Sequence, residues 1–290
     1  MLERAIPRTG ERLPAVGLGT WRTFDVGPGE AERKPLADVL RGFLAGGGRV
    51  VDSSPMYGRT ESVLGDLLSR DRPPAQPFLA SKVWTTGRAA GEAQLRESMR
   101  RLRARRLDLL QVHNLLDWET HLPALRGWKE QGRIRYLGVT HYALTSFPLL
   151  ERLLRAEQVD FVQLPYSLAT REAERRLLPA AAETRTAVLV MRPFEEGALF
   201  RAVEGRPLPG WAAEVGATSW AQVFLKFVLA HPAVTCVLPA TSRPGHLVEI
   251  LGAGSGVSTA AIQIAKLAGC TLFTRSSSDA KLKRAKELGA

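Results

Sequence analysis

Short apolar runs recur along the chain, and stretches whose apolar positions return every three or four residues separate them. The runs are AVGLGT (15–20), RVVDSS (49–54), FLASKV (78–83), LDLLQVH (107–113), IRYLGVT (134–140), DFVQL (160–164), AVLVM (187–191) and AVTCVLP (233–239). Near-continuous apolar runs are what strands buried on both faces look like, and the 3.6-residue period marks a helix with one apolar face. Gly91–Arg105 and Ser219–Ala230 carry the helical pattern. In Glu172–Ala182, the residues Glu172, Glu174, Arg175 and Arg176 make the polar face. Eight strands, each followed by a helix-length segment, predict an α/β fold of the closed (β/α)8, or TIM-barrel, type. An open doubly wound sheet is the alternative. It needs no eight strands and carries a glycine fingerprint after the first, whereas here the first strand runs into Thr20-Trp21. The eighth strand is expected to end near Pro239.

Functional side chains of such a barrel sit where strands end and loops begin. Those places hold a short polar set: Asp52, Tyr57, Lys82, His113, Thr140, His141, Gln163, Arg192, Ser242 and Arg243. Taken singly, Asp52 reads as a cap or turn residue, Tyr57 as a rim aromatic, and Lys82 and His113 as satisfied polar groups. Taken together, Asp52, Lys82 and His113 end three consecutive strands, which converge on one side of the mouth. A lysine buried there alone is costly, and Asp52 is its natural counter-ion. The ammonium is expected to lower the pKa of Tyr57 by stabilising its phenolate. Tyr57 then reads as a general acid towards a carbonyl oxygen that His113 orients, with hydride from a nicotinamide.

GLGTW, VVDSS with PMYGRTESVLGDLL directly after it, LASKVW, DLLQVHN, IRYLGVTHY, FVQLPYSL and VMRPFEEGALF resemble the successive strand-end motifs of the aldo-keto reductases, over residues 6–250. The resemblance implies NADPH as cofactor and the reduction of aldehydes or ketones, with Asp52, Tyr57, Lys82 and His113 catalytic. It implies that Gln163 holds the nicotinamide carboxamide. Thr140-His141 stands where the family has a Ser-Asn pair, and Met191 where many members stack a tyrosine on the nicotinamide. Thr20 and Trp21 match residues that line the mouth beside the nicotinamide and substrate, and with Arg192 they are expected to bind the cofactor. The TSRPGHLVE segment matches the place that meets the adenosine 2′-phosphate. Ser242 and Arg243 suit a phosphate there, and Pro244 starts a short helix. Glu249 matches an adenine-contacting acid, while Ile250 replaces a frequent asparagine. The alternative is a catalytically weak barrel that serves as a nucleotide-binding or redox-sensing module.

Composition changes this picture mainly at the end of the chain. All 6 tryptophans and all 18 prolines precede Gly252, whereas Lys266, Lys281, Lys283 and Lys286 follow it. LGAGSGVSTAAIQIAKLAG (251–269) sets a glycine-rich turn before an apolar helix, the opening of a dinucleotide-binding unit. It resembles the nucleotide domain of medium-chain dehydrogenases and quinone reductases. HLVEILGAGSGV fits either a reductase helix or a strand of that domain, so the junction falls near 246–251. Residues 1–250 are therefore expected to form the barrel. Residues 251–290 are expected to be a foreign fragment and not an independent domain, since two strands do not make a stable sheet. Thr259–Leu267 is expected to pack in place of the missing outer helix. SSSDAKLKRAKELGA, with Asp279 as cap, reads as an exposed helix.

Net charge is +11. The densest basic run, Arg96–Arg106, has no Phe or Tyr interleaved to stack bases and reads as a solvated helix face. Nucleic acid is therefore not an expected partner. No apolar run has the length to span a membrane, and the N-terminal MLERAIPRTGERLP has no signal-like core. Cys236 and Cys270 read as two buried thiols, in keeping with a cytoplasmic monomer. The five histidines, His113, His121, His141, His231 and His246, form no metal-ligand set. The expected partner is a small carbonyl compound.

Overall fold

The computed structural model describes residues 1–71, 73 and 76–253. A hairpin opens the chain, β1 (Glu3–Ala5) antiparallel to β2 (Arg12–Pro14). Eight parallel strands follow in sequential order: β3 (Leu18–Gly19), β4 (Val50–Asp52), β5 (Phe78–Val83), β6 (Leu107–His113), β7 (Ile134–Thr140), β8 (Phe161–Pro165), β9 (Ala187–Met191) and β10 (Val234–Val237). Bridges Val16↔Val237 and Gly19↔Ala240 join the first to the last. Gly17 N and Gly19 N donate to Val237 O and Pro239 O, both at 2.8 Å, and the sheet closes on itself. The eight strands and their closure follow the sequence pattern.

Around the sheet lie α1 (Glu30–Ala45), α2 (Thr60–Asp71), α3 (Arg88–Arg101), α4 (Trp118–Glu130), α5 (Phe147–Glu157), α6 (Leu177–Glu183), α7 (Ala198–Ala202), α8 (Trp220–Ala230) and α9 (Leu247–Gly252). Ser219 caps α8 by accepting from Gln222 N. The helix expected over 172–182 is split into a short 3-10 turn, Glu172–Glu174, and α6. The arginines of 96–106 are exposed or half-buried, and Arg96, Arg100 and Arg101 pair with Glu92 or Glu97. Of the two readings of HLVEILG, the helix holds: α9 packs on α1 and α8. The readings of Thr259–Leu267, Cys270 and 276–290 lie outside the described residues.

Side chains alternate between the two faces of a strand, and here that alternation builds the site. Positions pointing into the barrel run from an apolar floor to a polar mouth. Val50 leads to Asp52, Phe78 and Ala80 to Lys82, and Leu109 and Gln111 to His113. Tyr136 leads to Thr140 and Phe161 to Gln163, while Ala187 and Leu189 lead to Met191. The lower members of these series form one buried cluster with Cys236, Leu238 and the hairpin's Ile6 and Leu13. The hairpin therefore plugs the floor, a role its short polar strands did not announce. Within the β7 series, Gly138 allows close approach: a Cβ there would lie 2.7 Å from Phe161 O and 3.2 Å from Gln111 Cγ. After β9 the chain makes a long excursion through α7 before α8, with its own cluster of Leu199, Ala212, Val215, Ala217, Val223 and Phe224.

Candidate active site

The polar ends of β4, β5 and β6 meet at the mouth. Lys82 is fully buried, and its Nζ donates to Asp52 Oδ1 at 2.9 Å, Asp52 Oδ2 at 2.8 Å and Ser53 O at 2.7 Å. Thr20 Oγ1 donates to Asp52 O at 2.7 Å, which ties the first strand's end to the pair. The Tyr57 ring centre lies 5.1 Å from Lys82 Nζ, and the ring meets His113 edge-on with centres 6.0 Å apart. His113 Nδ1 is 3.1 Å from Ser54 Oγ. With the hydroxyl donating to Nδ1, the other ring nitrogen carries the proton and serves as donor.

Burial sets the protonation states. It pulls the Lys82 pKa down, but the neighbours, led by the charge of Asp52, outweigh it, and the ammonium is held above its ordinary value. Burial, Lys82 and His141 together depress His113 to about 3, so the ring is neutral near pH 7. The expected lowering of the Tyr57 pKa does not hold. Burial, the leading effect, raises it; the charge of Lys82 works against the rise and that of Asp52 adds to it, and the net shift is upward. The phenol therefore stays protonated, which is the form a proton donor needs.

Asp52, Tyr57 and His113 line a cavity of about 1080 Å³, together with Trp21, Gln163, Met191 and Arg192 among others, while Lys82 lies buried behind Asp52. Gln163 is buried, accepts from Thr140 Oγ1 at 3.3 Å, and has its Nε2 without a partner. His141 Nδ1 accepts from Ala143 N at 3.0 Å, and burial lowers its pKa. Glu249 on α9 also lines the cavity, and its Oε2 is buried without a partner. Ser242 and Arg243 are exposed and outside the lining, with Pro244–His246 forming the short helix expected after them. Among the described residues, no group of three His, Cys, Asp or Glu is placed to hold a metal. Nor is any helix there long and apolar enough to cross a membrane.

Several lining residues lie outside the strand-end reading. Phe200 and Trp220 come from the excursion and α8, Tyr142 follows His141, and Thr241 and His246 flank Arg243. Thr241 Oγ1 lies 3.1 Å from His246 Nδ1. Ser54 stands just after Asp52 and Ser53, but its contact with His113 joins residues 59 positions apart, which local pattern does not reveal.

A family model described as "Aldo/keto reductase family" matches residues 15–270. The chain is 30% identical over 255 residues to methylglyoxal reductase YeaE of Escherichia coli, covering 85% of this chain and 88% of that protein. It is 27% identical to aldo-keto reductase YhdN of Bacillus subtilis, over 67% of this chain and 62% of that one. Among solved structures, an aldo/keto reductase from Klebsiella pneumoniae in complex with NADP and acetate superposes with a TM-score of 0.74. It is 26% identical and covers 92% of this chain and 95% of that one. A thermostable aldo-keto reductase in complex with the inhibitor epalrestat gives 0.73 at 27% identity, over 100% of both chains.

Proposed function

This chain belongs to the aldo/keto reductase family and is an NAD(P)H-dependent oxidoreductase, and we propose that it reduces a small aldehyde or ketone with NADPH, using Tyr57 as proton donor. The observation that carries this reading is the convergence of Tyr57, His113 and the buried Lys82–Asp52 pair on one cavity. The E. coli relative is named for a small dicarbonyl, and the Klebsiella structure holds NADP. The partnerless Gln163 Nε2 and Glu249 Oε2 fit a carboxamide oxygen and an adenine amine. Ser242 and Arg243 suit the 2′-phosphate that separates NADPH from NADH.

When bound, the nicotinamide supplies the hydride to the carbonyl carbon. The chain's own residues handle the oxygen. Neutral His113 and the Tyr57 hydroxyl donate to the carbonyl oxygen and fix its position. As negative charge builds there, Tyr57 passes its proton to the oxygen, and the alcohol forms. Lys82 stabilises the phenolate left behind, and Asp52 keeps the lysine charged. Gln163, with Thr140 and His141 beside it, would hold the carboxamide, and Met191 would offer apolar surface to the ring. The test follows NADPH absorbance with a panel of small aldehydes. Tyr57→Phe is expected to lower kcat by about 10²- to 10⁴-fold. Native turnover in that variant would remove Tyr57 as the acid.

The composition break supports reading 251–290 as a fragment of dehydrogenase/quinone reductase type appended to a barrel of 1–250. The family match continues to residue 270, so two truncations place the boundary. Ending the chain at Ala253 or at Cys270 is expected to leave NADPH affinity within about twofold. A loss only in the shorter chain sets the boundary at 270.

A further inference from the structure

Two arginines and one carboxylate stand at the cavity mouth. Arg22 Nη1 and Arg192 Nη2 each lie 3.3 Å from a Glu196 oxygen. The Arg22 guanidinium covers Trp21 at 4.1 Å from the ring centre, and that of Arg192 lies 4.9 Å from the Tyr142 ring centre. All five residues line the same cavity as Tyr57 and His113. Both arginines have left-handed backbones, φ +62 at Arg22 and +54 at Arg192, and so does Glu196 at +51. Such conformations are costly for residues with a Cβ and gather where a side chain must be aimed.

Charge counting separates this corner from the rest of the cavity. One carboxylate serves two guanidiniums, which leaves a net positive charge. The neighbouring acid, Asp52, is already paired with Lys82. The field of Arg192 reaches the Tyr57 hydroxyl, where it works against the rise in pKa. The guanidinium thus acts in the same space as the carbonyl that Tyr57 protonates. It is two-thirds shielded from solvent, at 32% side-chain exposure, so an anion meeting it is not fully screened. Trp21, Tyr142 and Phe200 supply apolar surface beside it.

We propose that Arg192, supported by Arg22, selects carbonyl substrates that carry a carboxylate, with an apolar or aromatic body between the two groups. This rests on the carbonyl-reductase reading and assigns Arg192 to the substrate instead of the cofactor. The guanidinium offers paired donors to a carboxylate. Glu196 competes for it and restrains the preference.

The test uses the three positional isomers of formylbenzoate, each against its methyl ester. Native protein is expected to favour the best acid over its ester by about tenfold in kcat/KM. Arg192→Met should bring that ratio close to one, and Glu196→Gln should raise it. Equal kcat/KM for acid and ester in the native protein overturns the proposal. So does an Arg192→Met variant that keeps the ratio while its KM for NADPH rises, since Arg192 then serves the cofactor. Binding of the same pairs, read by tryptophan fluorescence, decides the matter without turnover. Tighter binding of the acid that Arg192→Met abolishes supports the assignment even if no aldehyde is reduced. Equal binding of acid and ester overturns it.

Discussion

On the β4–β6 side of the cavity, Lys82 reaches three acceptors and His113 lies on Ser54. On the β8–α9 side, Gln163 Nε2 and Glu249 Oε2 are buried with no partner, and Ser242 and Arg243 stand in solvent. On the first wall the buried charges are paired within the protein, although Ser53 Oγ and Gln111 Oε1 have no partner there. On the second, Gln163 Nε2 and Glu249 Oε2 border the cavity, and each costs about 1–3 kcal/mol unless water or a bound molecule meets it. In the proposed reading, chemistry that needs fixed protonation states falls to the first wall, and recognition falls to the wall with open valences. Changes on the first wall should therefore damage folding and rate, and changes on the second should damage affinity.

The largest effect that would break this contrast is at Lys82. Lys82→Met leaves the Asp52 carboxylate buried with no cation. Loss of about 3–5 kcal/mol in urea unfolding is expected, because an uncompensated buried charge is among the costliest defects. The double variant Lys82→Met, Asp52→Asn should recover most of that stability and none of the activity. A single variant as stable as the native chain would mean that the pair is not a closed unit.

The next is a pH effect. His113 is depressed from 6.5 to about 3 in the folded protein, first by burial and then by Lys82 and His141. The unfolded chain takes up that proton near pH 6.5, while the native chain refuses it until about pH 3. Stability is therefore complete above pH 6.5 and is lost as pH falls towards 3. His113→Gln should show a shallower decline of Tm over this window. Because Tyr57 is raised above its ordinary value of 10.0, reduction should stay level from pH 6 to 9. It should fall only beyond pH 10, where the phenol loses its proton.

Much of the first wall was legible in the sequence, and the reason is geometric. Strand alternation carries Phe78 and Ala80 to Lys82, and Leu109 and Gln111 to His113, so a polar residue closing an apolar run marks the mouth. The sign of the Tyr57 shift was not legible, because it depends on how deeply the ring is buried and how far Asp52 cancels Lys82. The floor hairpin escaped because ERA and RLP are too short and polar to show a strand period. The corner of Arg22, Arg192 and Glu196 joins residues 174 positions apart, beyond the reach of any local pattern.

On the open wall, Gln163→Leu tests whether the orphaned amide meets the cofactor. The substitution removes the unpaired Nε2 but also the acceptor for the buried Thr140 hydroxyl, so a loss of about 1–3 kcal/mol in stability is expected beside the binding effect. NADPH affinity should fall about tenfold, equivalent to about 1.4 kcal/mol. The kcat at saturating NADPH should change far less than in Tyr57→Phe. An unchanged Kd would move the carboxamide elsewhere in the cavity.

Arg243→Ala should give the smallest effect, and the reason lies in its exposure. A guanidinium in solvent gains little from an ion pair, about 0–1 kcal/mol, since water and salt screen both partners. Its effect should appear as selectivity: NADPH affinity falling about threefold to fivefold with NADH affinity unchanged, because only the former carries the 2′-phosphate. Raising salt should erase the difference between native chain and variant. A loss of tenfold or more for NADPH that survives high salt would show that the phosphate site is desolvated on binding, and that this wall closes further around the cofactor than its free form suggests.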